Sequence, residues 1–126
     1  MELEQFLEIT RAFQESRAVL TAVELNLFTA IGAGRGAAEV AARIQAHPRS
    51  TEMLLHALAA VGLLEKRDGV FYNTPFAARY LDDASPDSIR LAAMHSAGLW
   101  NRWSTLTECV RAGTSVTRDE IKDRGE

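Results

Sequence analysis

The sequence predicts a mainly α fold: a winged helix-turn-helix with a small β-hairpin, flanked by long N- and C-terminal helices suited to dimerisation. Three observations carry this. A helical run at Ala37–Gln45 meets a second one, bounded by Pro48 and Gly62, across the tight link Ala46-His47. The pair Asp68-Gly69 then sits between LLEKR and VFYN, where a two-residue type I′ turn needs positive φ at both central residues. Third, residues 2–31 repeat apolar side chains every seven positions. One domain is expected over 1–113 (N-terminal helix 1–31, winged helix 37–73, C-terminal helical region 86–112), then a polar, weakly ordered tail over 114–126.

In the N-terminal segment, Phe6, Phe13, Leu20 and Leu27 fall every seven residues, with Ile9, Ser16, Val23 and Ala30 between them. The reading is one long helix over 2–31, with room for a kink. Its first half has one apolar stripe and a charged remainder (Glu2, Glu4, Glu8, Arg11, Glu15); Ala18–Ile31 is apolar nearly all round. A domain of 126 residues is short of interior for so much apolar helix. The expectation is a homodimer joined through Phe6, Ile9, Phe13, Leu20, Val23 and Leu27.

Gly32, Gly34 and Gly36 follow. Spaced glycines suggest a cofactor-binding turn, but that turn requires a strand before it and a second strand about 20 residues later. Here the preceding residues are helical in period and the later position falls in the Met53–Val61 helix. A flexible connector is expected instead, with Gly36 capping the next helix and Glu39 in its first turn. In the following helix, Pro48 suits the first turn and Gly62 the residue past the end. Leu54, Leu58 and Val61, with Ala57, form the expected inward stripe. A two-residue hairpin turn places Lys66 opposite Phe71 and Glu65 opposite Tyr72.

After the hairpin, Thr74 as N-cap and Pro75 at N1 start a short helix expected to turn Phe76, Tyr80 and Leu81 inward. Ser85 and Pro86 repeat the signal for the last region, expected to break near Gly98 and stop at Gly113. Leu99, Trp103, Leu106 and Val110 make one stripe there, and Ile89, Ala93 and Trp100 another. Met94, His95, Trp100 and Trp103 form a cluster that reads either as core or as the wall of an aromatic-ligand pocket.

Composition narrows the function. Hydrophobic residues at 47% and charged residues at 25% fit a soluble globular chain. The acidic N-terminus lacks the layout of a signal peptide, and no apolar run suits a membrane span. The one cysteine, Cys109, fits a reducing cytoplasm and reads as a buried, inert thiol. Net charge is −3, and between residues 37 and 73 Arg43, Arg49, Lys66 and Arg67 are balanced by Glu39, Glu52, Glu65 and Asp68. A winged helix that grips phosphates needs a basic excess, so no nucleic-acid partner is expected. His47, His56 and His95 are scattered, no metal-ligand spacing or catalytic constellation is legible, and the chain itself reads as non-catalytic with no cofactor site.

Taken together, these stretches resemble the N-terminal domain of S-adenosylmethionine-dependent O-methyltransferases of the plant phenolic and bacterial polyketide or antibiotic tailoring type. Ala22–Ile31 (AVELNLFTAI) is similar to an A-x-E-L-G-L-F-like run, and Ala37–Ile44 to a short E-L-A helix. His47–Thr74 resembles the D-P-x-x-L-x-R-L-L-R-x-L-x-x-x-G-L-L run with its wing, and Trp100–Gly113 the helix leading to the catalytic domain. Asn26 stands where the family often has glycine, His47 where it has a capping aspartate, and Gly36 where it often has threonine.

The resemblance implies a dimerisation domain that lends side chains to a substrate pocket, with S-adenosylmethionine bound by a catalytic domain expected after Gly113 and absent from this chain. It implies a small aromatic or polyketide-like substrate for the whole enzyme. Two other readings stay open at the level of sequence: a winged-helix DNA-binding transcriptional regulator, and a self-standing binder of small aromatic molecules.

Overall fold

A computed structural model describes residues 1–115. Ten elements follow in order: α1 (Leu3–Glu24), α2 (Leu27–Ile31), β1 (Arg35–Gly36), α3 (Ala37–Arg43), α4 (Pro48–Val61), β2 (Leu64–Arg67), β3 (Val70–Asn73), α5 (Pro75–Tyr80), α6 (Arg90–Trp103) and α7 (Leu106–Ala112). This is a winged helix-turn-helix, α3–α4 with the β2–β3 wing, held between α1 and α6. The tail expected from residue 114 lies outside the described residues from position 116 onward.

The N-terminal helix is two helices. Asn26 adopts the left-handed conformation at φ 53°, which ends α1 and starts α2 in a new direction. Asparagine tolerates that region because its short amide bonds locally, and here its Oδ1 accepts from Thr29 Oγ1 at 2.7 Å. The redirection folds Leu27, Phe28 and Ile31 into the core beside Val23 of α1, and none of the four is more than 1% exposed. Val40, Leu55, Leu58 and Phe71 close that core from α3, α4 and β3.

The glycine segment differs from the flexible connector expected. Arg35 and Gly36 form a short strand that pairs antiparallel with β3, making a three-stranded sheet of order β1-β3-β2. Gly34, at φ +134°, is required by packing as well as by backbone. A Cβ placed there would lie 2.4 Å from Cε1 of Tyr72. Gly36 then caps α3, with Glu39 in the first turn.

On α4 the ends are as expected. Pro48 occupies the first turn, Gly62 closes the helix at φ 99°, and His47 at the N-cap accepts the Ser50 N–H through Nδ1 at 3.3 Å. The buried stripe is rotated from the one expected. Thr51, Leu55 and Leu58 point inward, Leu54 is half-buried, and Ala57 and Val61 are exposed. Adjacent leucines at 54 and 55 gave two possible stripes, and the true one begins at a threonine. The hairpin has the expected register, Lys66 opposite Phe71 and Glu65 opposite Tyr72, with Asp68 at φ 51° and Gly69 at φ 77°.

Thr74 caps α5 through the Ala77 N–H, and Pro75 is at N1. Six residues allow one inward face, taken by Ala77 and continued by Leu81 just past the helix, so Phe76 is exposed and leans on Tyr80 with ring centroids 5.0 Å apart. The last region begins later than Pro86. Ser85 Oγ accepts from Asp87 N in a turn, Ser88 Oγ accepts from Arg90 N, and the helix starts at Arg90. Its break falls at Ser104–Thr105, not Gly98. Both hydroxyls donate back into the preceding turn, Ser104 to the Trp100 carbonyl (2.8 Å) and Thr105 to that of Arg102 (2.6 Å), and α7 leaves from there. Gly113 ends α7 at φ 71°.

Candidate functional site: the outer face of α1

The N-terminal half of α1 projects past the core, and its apolar side chains are open to solvent. Phe6 is 52%, Ile9 62% and Phe13 54% exposed, with Leu3 beside them. Leu20 is half-buried. Val23 and Leu27 belong elsewhere: both are enclosed by the chain's own core and offer no surface to a partner. The sequence repeat placed all six on one seam because period alone does not show that the C-terminal half of α1, with Val23, packs on the chain's own core, or that the chain turns at Asn26 before Leu27.

The same helix face runs on into a groove between α1 and the start of α4. About 520 Å³ in volume, it is walled by Phe13, Arg17, Ala18 and Thr21 from α1, and by Ser50, Thr51 and Leu54 from α4. Arg17 is its charged member. That guanidinium is already engaged, 3.1 Å from Glu24 Oε2 and 5.4 Å from the centre of the Trp100 ring. Thr51 forms part of the floor, and its Oγ1 is buried without a hydrogen-bond partner among the described residues.

The four residues read as a possible pocket wall have separate surroundings. Met94 packs against the core from α6, and Trp100 is half-buried under Arg17. His95 is exposed, while Trp103, 68% exposed, shares a shallow hollow with Leu106 and Cys109 near the α6–α7 break. Cys109 is half-buried rather than enclosed, with Sγ 3.5 Å from Thr105 Oγ1.

The outer face of α4, which a DNA-binding winged helix turns to the major groove, presents Glu52, Met53, His56 and Ala60. His56 Nε2 lies 3.6 Å from Glu52 Oε1, and its ring stands roughly perpendicular to that of Phe71 with centroids 5.3 Å apart. Apart from Arg49, exposed in the first turn of the same helix, these groups lack the amides and guanidinia that read base edges. Among the described residues, no group of three or more His, Cys, Asp or Glu side chains could hold a metal ion. No described helix is long and apolar enough to cross a membrane.

Fold and surface together define a winged-helix domain with an unpartnered apolar helix on its outside. Residues 7–83 match the O-methyltransferase dimerisation domain, and the chain belongs to that family. It is 39% identical over 110 residues to the tetracenomycin polyketide synthesis 8-O-methyl transferase TcmO of Streptomyces glaucescens, a match covering 85% of this chain and 32% of that protein. Among solved structures, an O-methyltransferase family protein from Burkholderia thailandensis superposes with a TM-score of 0.79 at 34% identity, over 88% of this chain and 33% of that one. Human N-acetylserotonin methyltransferase, solved in complex with S-adenosylmethionine, gives a TM-score of 0.76 at 27% identity, over 90% and 36% of the two chains. The chain therefore spans about a third of the length of the relatives it matches.

Proposed function

We propose that this domain pairs two copies of its own chain through the exposed face of α1, as the dimerisation domain of an S-adenosylmethionine-dependent O-methyltransferase acting on a small aromatic or polyketide-like substrate. The observation that carries the pairing is the row Leu3, Phe6, Ile9 and Phe13, large apolar side chains left in water by the chain's own fold. Monomers rarely expose an apolar patch beyond a few hundred Å². A two-fold pair of such helices buries it against a copy of itself.

The relatives supply the rest of the reading: TcmO is named as a polyketide 8-O-methyl transferase, and the human relative was solved with S-adenosylmethionine. In that setting the cofactor is held by a methyltransferase domain. From α6 and α7, Met94, His95, Trp100 and Trp103 stand as candidates to line the substrate's side of the cleft. A single cysteine supports a cytoplasmic setting.

The decisive measurement is solution mass. Light scattering at micromolar concentration should give twice the chain mass of 13.9 kDa. A monomer mass would overturn the proposal.

A further inference from the structure

We infer that His47 makes the first turn of α4 pH-sensitive: its neutral imidazole caps the helix, and protonation removes the cap and loosens the α4 wall of the groove. The inference goes beyond the pairing proposed above and holds within a single copy of the chain.

His47 has the extended backbone of an N-cap, φ −65° and ψ 128°. Pro48, at the first helical position, has no N–H, and Thr51 N donates to the His47 carbonyl at 2.9 Å. Arg49 and Ser50 therefore hold the two N–H groups of the first turn that the helix's own carbonyls cannot serve. His47 Nδ1 accepts from Ser50 N and lies 3.3 Å from Ser50 Oγ as well. Both contacts use the single lone pair that Nδ1 carries in the neutral ring. Once Nδ1 holds a proton, the Ser50 hydroxyl can turn about and accept. The Ser50 N–H cannot, and it loses its partner. The side-chain oxygens of Ser, Thr, Asn and Asp caps remain acceptors near neutral pH, whereas an imidazole changes charge between about pH 5 and 8.

The charges around the turn do not favour an imidazolium. The positive end of the helix dipole lies there. The first turn of α4 has no acidic residue, and Arg49 within it is exposed. Glu52 lies beside His56, which Lys66 of β2 also approaches at 3.5 Å, farther along α4. On α3, Arg43 stands in the last turn and Glu39 is held by Arg35. On α1, Arg17 and Glu24 satisfy each other. None of these carboxylates pairs with His47. Ala46, Ser50, Thr51 and Leu54 line the groove opposite α1, so the turn that acid uncaps is one of its walls.

Nuclear magnetic resonance of the full chain between about pH 8 and pH 5 tests the cap directly. The Ser50 amide should shift with the same midpoint as the His47 ring, and should still do so in His56→Gln, which removes the other histidine of α4. A Ser50 amide that ignores the His47 ring would overturn the inference. Urea unfolding at one protein concentration reads the consequence. His47→Asp supplies an acceptor that stays ionised across this range. The unfolding constant of the unmodified chain relative to His47→Asp should rise about fivefold from pH 8 to pH 5.5, the usual effect of one lost cap. His47→Ala, uncapped throughout, should approach the unmodified chain in acid. A ratio to His47→Asp that is the same at both pH values would overturn the inference.

Discussion

The guanidinium of Arg90, at the first residue of α6, grips the carboxylate of Asp83 through Nε, 2.9 Å from Oδ1 and 3.1 Å from Oδ2. Its Nη1 donates to the carbonyl of Val23 at 3.3 Å, in the last turn of α1. Asp83 Oδ2 in turn accepts from Asn26 Nδ2 at 3.0 Å, and Asp83 N donates to Thr29 Oγ1 at 2.9 Å. One arginine thus locks the bend between α1 and α2 to the start of α6, with its positive charge at a helix C-terminus where the dipole favours it. That bend decides which apolar residues enter the core and which stay outside on α1.

Breaking this lock should lower stability measurably. Arg90→Met removes charge-assisted hydrogen bonds from a side chain that is only 19% exposed, and is expected to cost about 2 kcal/mol. Arg79→Met, which breaks the exposed pair with Asp87, should cost less than about 1 kcal/mol. Urea unfolding of both variants compares them directly; equal midpoints would show that the Arg90 network contributes nothing beyond a surface ion pair.

Thr51 offers a change in the other direction. Its hydroxyl is buried on the inward side of α4 and has no hydrogen-bond partner among the described residues. Thr51→Val keeps the shape and removes the stranded group, so a gain of about 1 kcal/mol is expected. A fall in the melting temperature would mean that the hydroxyl is satisfied in solution.

Much of this fold was legible because its punctuation is local. Pro48, Gly62, Asp68-Gly69, Thr74-Pro75 and Gly113 each act through their own backbone geometry, and each marks the boundary or turn expected of it. What depended on distant contacts was not legible. Strand β1 exists because β3 offers it an edge, and two residues carry no periodicity to announce it. Thr51 lies on the buried stripe of α4 although its type does not mark it as apolar. The α6–α7 break comes from two hydroxyls turning back into the helix, and a search for glycine misses it. At the candidate interface, the exposed row Phe6, Ile9 and Phe13 was readable as a heptad. Val23 was assigned to it because period does not show where along α1 the chain's own core begins, and Leu27 because the helix was read straight through Asn26.

The glycine segment leads to a third expectation. A dinucleotide-type cofactor loop joins a parallel strand to a helix N-terminus. Here helix α2 precedes the glycines, and the short strand that contains the last of them, Gly36, pairs antiparallel. Titration of this chain with S-adenosylmethionine in a calorimeter should therefore show no saturable heat at micromolar concentrations. One-to-one binding in that range would make Gly32–Gly36 a cofactor site after all.

Phe13 is the residue on which the pairing turns. It sits midway along the exposed face of α1 and forms one wall of the groove, so a charge there meets both the row and the hollow. Phe13→Glu would bury a carboxylate with no free cation beside it, since Arg17 already serves Glu24. The loss expected is at least 3 kcal/mol of association energy, more than a hundredfold in Kd. The fold should survive, because Phe13 lies outside the core and its replacement is a good helix former. Glu15→Lys, an exposed change on the charged face of the same helix, should leave the mass of the pair unaltered. Sedimentation of the two variants separates the outcomes: Phe13→Glu falls to a folded monomer by circular dichroism while Glu15→Lys stays dimeric. A dimeric Phe13→Glu chain would move the interface off this face of α1.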